Sequence, residues 1–404
     1  MKSATAALLA VLLVCSLPAM TVIAAEPVGE GDGDTTRDVS LQQEPVGTSS
    51  MTTADSMPNR LDLTGEVRSE HTEYGHDIGT ALAASDDELR VDHDQYVFLG
   101  SDFDGVDTDE QITLLEGAYE QLTERSNALE TRERTVVQAH AAGEQATTEL
   151  VQVLIRNHNE AAVLSEAFDE LSDRAGQVPG YSLSVDDEQS ELDLHQSEIR
   201  STLEATVSDR AVVAVQTSET GYTFSTIDSS YVRETTRFDN RDTEQPNQFD
   251  DITDAYEAAR EVYPWVFETG KSSEMTGQSA VQLYEIRVPH EYGQLEATFD
   301  GGTGEVHREA QVLTPDALPT VGNESWSGDG LTLSVTETPM NGPATVTVTD
   351  SETDEPESAT VTIDDEEVGE TDAEDGTLWI VPPAGEYELI VDTGSERLNA
   401  TVSG

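Results

Sequence analysis

The chain is poor in cations and thiols. It has 20 Lys and Arg residues against 82 Asp and Glu residues, so its formal net charge is −62. Only two of the cations are lysines, Lys2 and Lys271. Affinity for phosphate groups comes from Lys and Arg, so this composition argues against DNA, RNA and anionic lipid as partners. The only cysteine is Cys15, so the chain must be stabilised by core packing rather than by internal disulfides.

The excess of acidic residues predicts adaptation to concentrated salt. Repulsion between like charges expands a compact chain in dilute buffer, whereas the Debye length falls to about 3 Å at 1 M salt. This acidic, lysine-poor composition resembles that of exported haloarchaeal proteins, which implies a halophilic archaeon as the source. An acidic disordered protein is the alternative, but regular apolar patterns run through most of the sequence.

Residues 1–25 have the pattern of a secretory signal peptide. Lys2 precedes a long apolar run, and the small residues Ala24 and Ala25 predict a cleavage site. Because the uncharged run exceeds the usual length of a signal core, an uncleaved membrane anchor is the alternative. Residues 26–58, rich in Gly, Ser, Thr, Pro and acids, predict a disordered acidic linker. We therefore expect an extracellular or cell-surface protein.

Residues 59–208 predict a mainly helical, coiled-coil-like domain. Proline is absent from 109–175, and apolar residues recur every seven positions at Leu115, Leu122, Leu129 and Val136. A heptad of this length predicts either one long coiled-coil helix or a helical hairpin that turns near 140–145. The partner of this seam is left open, so it could be the same chain or a second copy in a homo-oligomer.

Three local predictions complete this region. Asp94–Gly100 (DQYVFLG) is rich in strand formers and predicts a strand. Thr108 and Gln111 predict a capping box at the start of the long helix. A second helix is predicted over 187–207, where it could pack back on the first.

Residues 209–320 predict an α+β domain, because the apolar period changes to two and a single helix is expected over 250–267. Its last hairpin, Leu295–Ala310 (LEATFDGGTGEVHREA), resembles that of PepSY-type repeats, in which a strand ends in Asp, turns through a Thr-Gly pair and returns. This resemblance implies restraint of a protease or binding in the cell envelope.

Residues 321–330 are predicted to be a linker, and 331–404 a β-sandwich of short alternating strands. The turns TDAEDG and PAGEY resemble those of carboxypeptidase-regulatory-like modules, although the first is one residue longer than usual. The positions that carry the resemblance are Gly369, Thr371, Asp372, Gly376, Pro383, Gly385 and Tyr387. Such modules have no catalytic residues. The predicted fold class is therefore multidomain α plus β, with a helical hairpin or coiled coil, an α+β middle domain and a C-terminal Ig-like β-sandwich.

No catalytic, cofactor or metal site is predicted. The TGKSS segment lacks the upstream glycine of a phosphate loop, since Trp265 stands there, and HEYGQ has Gln294 where a zincin needs its second histidine. Four acids at Asp102, Asp104, Asp107 and Asp109 offer oxygen ligands for calcium, but their spacing does not fit an EF-hand. The same acids would also favour the N-terminus of the following helix, and both roles stay open.

Two sequons, at Asn323 and Asn399, predict N-glycosylation. We expect a non-enzymatic exported or cell-surface protein of a halophilic archaeon that serves binding, scaffolding or envelope assembly. Its partner would be an unknown protein or envelope component, and the membrane only if the N-terminal segment stays uncleaved. A regulator or inhibitor of an extracellular protease, acting through the PepSY-like domain, is the alternative, and an envelope hydrolase is a third.

Overall fold

The computed structural model describes residues 61–75, 78–100, 103–205, 211–269 and 272–403. These residues belong to one structural unit, Met51–Gly404. The predicted signal peptide and the predicted acidic linker lie outside the described residues. The described helices are α1 (Ile78–Leu99), α2 (Thr108–Ala141), α3 (Thr147–Ala175), α4 (Asp186–Leu192), α5 (Glu198–Ala205), α6 (Ile252–Val262) and α7 (Pro264–Thr269).

Helices α2 and α3 form an antiparallel hairpin. The ring of Tyr119 contacts that of Phe168 near the open end, and Asn157 Nδ2 donates to Leu129 O (3.0 Å) nearer the turn. Gly143 ends α2 with a φ of +75°, which lets Glu144 N donate back to Ala139 O (2.8 Å). The interpretation as one long rod is therefore wrong, and the hairpin alternative is confirmed.

The heptad seam of α2 is buried inside this chain. Leu115, Leu122 and Leu129 have no exposed surface, because they pack against α3 and α1. The predicted seven-residue spacing of apolar residues in α2 is therefore confirmed, and the seam that they form packs against helices of the same chain. The seam does not face solvent.

Three local predictions differ from the structure. Asp94–Leu99 is the last part of α1 rather than a strand, because burial of Val91 against α2 and α3 favours the helix over local strand propensity. The N-cap of α2 is Asp107, whose carboxylate accepts from Glu110 N (3.1 Å), rather than Thr108. The helix predicted over 187–207 is two helices, α4 and α5, which a 3₁₀ turn at 193–195 separates.

The largest sheet has eight antiparallel strands in the order β1-β2-β3-β4-β8-β7-β6-β5. Its first strand comes from the region predicted to be mainly helical. The strands are β1 (Arg68–Tyr74), β2 (Ala211–Ser218), β3 (Gly221–Ile227), β4 (Tyr231–Arg237), β5 (Glu274–Gln278), β6 (Leu283–Pro289), β7 (Gly293–Asp300) and β8 (Val306–Leu313).

Helices cover the two halves of this sheet on opposite faces. Val232 of β4, paired with Val312 of β8, packs under α2, α3 and α5. Leu295 of β7, paired with Gln311 of β8, packs under α6 and α7. Because Gln311 and Val312 are adjacent residues of one strand, their side chains point to opposite faces.

The C-terminal strands form two four-stranded sheets, in the orders β14-β11-β10-β9 and β13-β12-β15-β16. Leu333, Val346, Val361, Leu389 and Val402 have no exposed surface and contribute to one core between the sheets, as the alternation predicted. The strands are β9 (Gly322–Gly328), β10 (Leu331–Glu337), β11 (Ala344–Asp350), β12 (Thr360–Ile363), β13 (Glu366–Glu370), β14 (Thr377–Ile380), β15 (Glu386–Asp392) and β16 (Arg397–Ser403).

The segment predicted to be a linker contains β9, which pairs with β10 along its whole length. Trp326 is the one residue of β9 that packs partly on the core, and the strand is held mainly by backbone hydrogen bonds to β10. Its sequence therefore lacks the alternation of apolar and polar residues from which a strand is predicted. Among the described helices, none combines the length and the apolar composition that a membrane span requires.

Candidate functional site

The strongest candidate site is a cluster of ionisable side chains between the helical layer and the sheet. We call it the ion cluster: Glu133 of α2, His195 of the 3₁₀ turn, Arg200 of α5, Tyr222 of β3 and Glu234 of β4. All five side chains are buried, and Arg200, Tyr222 and Glu234 have no exposed surface at all. Buried charges in a chain of this composition require a specific explanation.

Arg200 bridges the two carboxylates of the ion cluster. Its Nη1 donates to Glu133 Oε2 (3.1 Å), and its Nη2 donates to Glu234 Oε1 (2.8 Å). The Tyr222 hydroxyl lies 2.7 Å from an oxygen of each carboxylate. His195 Nδ1 lies 3.1 Å from Glu133 Oε2. Arg200 Nε also donates to Glu234 Oε2 (3.3 Å), so each glutamate oxygen has a polar partner within hydrogen-bond distance.

The ion cluster is electrically compensated. A second guanidinium, that of Arg308 on β8, has its Nε 3.9 Å from Glu234 Oε1, so two cations face two carboxylates. Burial opposes ionisation of Glu133, but Arg200 and His195 outweigh it and hold the pKa of Glu133 well below its usual range. The pKa of Glu234 is also lowered, because Arg200 and Arg308 outweigh its burial. Both glutamates are therefore ionised at neutral pH.

Sequence reasoning missed this cluster, because one glutamate among so many acids is inconspicuous. The signal that could have found it is local. Glu133 lies one turn from both Leu129 and Val137, on the inner face of α2, and Arg200 lies between Ile199 and Leu203 on α5. A charge inside a run of inward-facing apolar residues predicts a buried partner.

Beside the ion cluster lies a polar cavity of about 30 Å³, lined in part by Glu133, Glu191, His195, Arg241 and His307. The Glu133–His195 pair has the arrangement in which a carboxylate orients a histidine for proton transfer. A cavity of this volume holds about one water molecule, whereas small-molecule sites occupy roughly 300–1,000 Å³. The pair therefore has no room for a substrate, and the cluster acts as a structural link between layers.

A second buried ion pair fixes the start of the described chain to the sheet. Glu309 Oε2 accepts from Leu61 N (2.9 Å) and from the Tyr263 hydroxyl (2.7 Å). Arg233 Nη2 donates to Leu61 O (2.9 Å), and Arg233 Nη1 lies 3.3 Å from Glu309 Oε1. Both backbone groups of Leu61 are thus bound by side chains from neighbouring strands β4 and β8.

The residues singled out by sequence lie apart from these clusters. Asn323 and Asn399 are exposed on β9 and β16, an edge strand of each sandwich sheet. Asp107 caps α2, and Asp102 lies outside the described residues. Within the described ranges, no group of three or more His, Cys, Asp or Glu residues is arranged to hold a metal ion. Within this acidic loop, Asp107 has a helix-capping role.

We predict that Arg200→Met lowers the free energy of unfolding by about 3–5 kcal/mol, because it leaves two buried carboxylates without their shared cation. The matched control is Glu130→Gln, which breaks a pair with Arg134 whose side chains are 49% and 41% exposed. We expect that control to cost less than about 1 kcal/mol. Urea unfolding in molar KCl, followed by circular dichroism, measures both. Equal losses in the two variants would show that the ion cluster does not link the layers.

A pH dependence follows from two buried histidines. Burial lowers the pKa of His290 to about 4, and burial with the nearby Arg241 lowers the pKa of His307 to about 4. The ordinary pKa is about 6.5, so the unfolded chain binds protons below that pH while the folded chain does not. Each histidine therefore costs stability as pH falls from about 6.5 to 4, at up to roughly 1.4 kcal/mol per pH unit.

We predict that His307→Asn flattens the fall in unfolding free energy between about pH 6.5 and 4, because the asparagine amide keeps the donation to Arg237 O (2.8 Å) without titrating. Buried Glu309 has a raised pKa and opposes the fall, so the measurement is the difference in slope between the variant and the parent. His93→Gln, at an exposed histidine, is the control. An unchanged slope in His307→Asn would contradict the prediction.

Comparison with known protein families divides the chain into three ranges. Residues 213–319 match a family of unknown function (DUF7094), and residues 322–400 match the archaeal fibronectin-III type-like domain. No curated protein matches the chain. The third match, over residues 1–211, is to the domain of unknown function DUF7096. Because this match covers more than half of the chain, the protein belongs to the DUF7096 family and ends in an archaeal fibronectin-III-like, Ig-type domain.

Proposed function

We propose that this protein is a non-enzymatic, exported scaffold of the cell surface in a halophilic archaeon. The observation that carries the proposal is the placement of its charges. Three arginines, Arg200, Arg233 and Arg308, are buried within 4 Å of a glutamate, so part of the small cationic complement is used inside the protein. Asp and Glu therefore outnumber the exposed arginines on the surface, of which Arg90, Arg287 and Arg397 are examples.

The acidic turns of the sandwich show the complementary half of this pattern. Residues 350–376 are crowded with acids, whereas Ala359, Val361 and Ile363 keep the inner face apolar. Asp372 and Asp375 are exposed and Asp350 is half-buried, and each accepts from one or two backbone amides of its own turn. These carboxylates shape turns and face solvent. They support a surface that holds water and salt rather than a ligand.

Two further observations support a scaffold over an enzyme. The Glu133–His195 pair, the clearest acid–base pair of the ion cluster, adjoins a cavity with space for about one water molecule. The C-terminal domain matches a fibronectin-III-like family, and sandwiches of this architecture are common as cell-surface domains. Both observations fit a protein that acts through contacts at its surface. The carboxypeptidase-regulatory-like resemblance is supported by the turn at Asp372, whose backbone N donates to Thr377 O (2.9 Å) and whose O accepts from Gly376 N (2.8 Å).

Export is supported by the leader pattern of residues 1–25 and by the positions of the sequons. Asn323 and Asn399 lie on exposed edge strands of the sandwich, where an unpaired backbone edge invites association with other strands. Glycans at these positions would shield both edges. We therefore retain N-glycosylation at both asparagines as part of the proposal.

One observation favours a second candidate, a regulator of an extracellular protease. In the hairpin that resembles PepSY repeats, Asp300 Oδ2 accepts from Thr303 N (2.8 Å) and from Asp242 N (3.2 Å). The Asp at the end of β7 thus closes the turn, as the resemblance implies. This supports a PepSY-like hairpin on which a protease could be restrained.

We predict that the tagged chain, expressed in a haloarchaeal host, is recovered from the envelope or culture supernatant. Intact mass should show loss of residues 1–25 and added glycan, which Asn323→Gln and Asn399→Gln should reduce stepwise. Retention of the chain in the cytoplasm would contradict export. A pull-down from the same fraction distinguishes the two candidates: a protease as the main partner, inhibited by the purified chain, would replace the scaffold role.

We predict that the folded protein requires molar salt. On dialysis from molar KCl to dilute buffer, the far-ultraviolet circular dichroism of helix and sheet should decrease, because repulsion among the surface carboxylates is no longer screened. A sample dialysed against molar KCl is the control, and return to salt tests reversibility. A spectrum unchanged in dilute buffer would contradict the halophilic assignment.

A further inference from the structure

Helix α1 exposes most of the large apolar side chains that the described residues leave in solvent. Seven such side chains are more than 40% exposed, and five of them belong to α1. They are Ile78, Leu82, Leu89, Tyr96 and Val97, each at least 62% exposed. Single exposed apolar residues are ordinary, whereas a concentration on one element marks a contact surface.

Four of these side chains form a straight stripe. At 100° per residue, Ile78, Leu82, Leu89 and Tyr96 fall within about 40° of one another around the helix axis. We call them the α1 stripe. Leu82, Leu89 and Tyr96 are seven residues apart, the spacing of a coiled-coil seam. A seam of this kind fits another helix.

The rotation of α1 about its axis is fixed by its other face. Val91 is buried against α2 and α3. Asp87 accepts two hydrogen bonds from Arg156 of α3, at 2.6 and 2.8 Å. With these groups on the inner side, the α1 stripe must face outward. The heptad seam of α2 is already packed against helices of the same chain, whereas the α1 stripe faces solvent. The α1 stripe is therefore the seam that is available to a second helix.

We propose that two copies of this chain associate through an antiparallel pair of α1 helices. The charges beside the stripe select this arrangement. With the two-fold axis between Leu89 and Arg90, Asp86 of each copy lies opposite His93 of the other, and Leu82 lies opposite Val97. A parallel pair in register would instead place Asp86 against Asp86, which is destabilising.

The acidic flank of the stripe argues against other occupants. Asp86, Glu88 and Asp92 surround its central part, and Arg90 is already paired with Asp86 at 2.7 Å. An anionic membrane or a nucleic acid presents phosphates and no basic group to these carboxylates. A second copy presents His93 to Asp86. The inference is independent of the proposed function, because it holds whether or not the protein is exported.

The first test is the mass of the full chain in molar KCl, measured by light scattering over a range of protein concentrations. We expect twice the chain mass at high concentration. Leu89→Glu should weaken association at least tenfold, since it puts a carboxylate at the centre of the seam. Ile252→Glu is the matched control, because Ile252 is 42% exposed on α6 and outside the stripe; it should leave the dimer intact.

The second test distinguishes an antiparallel pair of α1 helices from a parallel pair, and it does not require that the Leu89→Glu variant folds. In a Cys15→Ser background, Leu89→Cys and Leu82→Cys are oxidised mildly in molar KCl. In the antiparallel pair the two 89 positions are offset by about 1.5 Å along the axis, and the two 82 positions by about 22 Å. We therefore expect a disulfide-linked dimer from Leu89→Cys and none from Leu82→Cys. Crosslinking of both variants would indicate a parallel pair and overturn the proposal.

The third test addresses the proposed contact between Asp86 of one copy and His93 of the other. His93→Asp should weaken association several-fold, because it faces Asp86 with a second carboxylate. The exchange variant Asp86→His with His93→Asp should restore it. A monomer at every concentration, equal effects of Leu89→Glu and Ile252→Glu, or Leu89-dependent binding to phosphatidylcholine vesicles in place of a dimer would each overturn self-association through α1.

Discussion

The ion pairs of Arg200 with Glu133 and Glu234 are the constraint on which the rest of the structure depends. They join a helix of the hairpin to a central strand of the sheet through a cation with no exposed surface. Each partner lies on a different element, so the geometry exists only when the helical layer sits on the sheet. A buried charge left without its partner is costly, which makes the cluster a test of correct assembly rather than a source of net stability.

This constraint also crosses the boundary between two family matches. Glu133, His195 and Arg200 belong to the DUF7096 range, whereas Tyr222 and Glu234 belong to the DUF7094 range. Strand β1 of the first range pairs along its length with β2. The two ranges therefore share one sheet and one interior. They form a single folding unit, and isolating either range would separate Arg200 from Glu234 and expose the buried charges of both.

The sequence was informative where a feature repeats. Heptad spacing predicted long helices and the inward face of α2 but left rod and hairpin open, and alternation predicted the sandwich core, because many residues report the same face. The sequence was uninformative where a structural feature depends on a single residue. Glu133 is one acid among many, and strand β9 contributes backbone hydrogen bonds with Trp326 as its only core contact. The α1 stripe was hidden for another reason: Tyr96, Val97 and Phe98 have strand propensity, and tertiary contacts, among them those of Val91 and Asp87, favour the helix.

The hydrogen bonds that Arg233 and Glu309 form with the backbone of Leu61 have a mechanical consequence. Tension applied through the chain before Leu61 reaches the sheet at its interior strands β4 and β8, where Arg233 and Glu309 hold both backbone groups of one residue. The load is shared by buried hydrogen bonds and by the aromatic packing around Tyr263, and it does not peel the edge strand β1 from its neighbour. Force on Leu61 is therefore transmitted through the side chains of Arg233 and Glu309 to two interior strands rather than to the edge of the sheet.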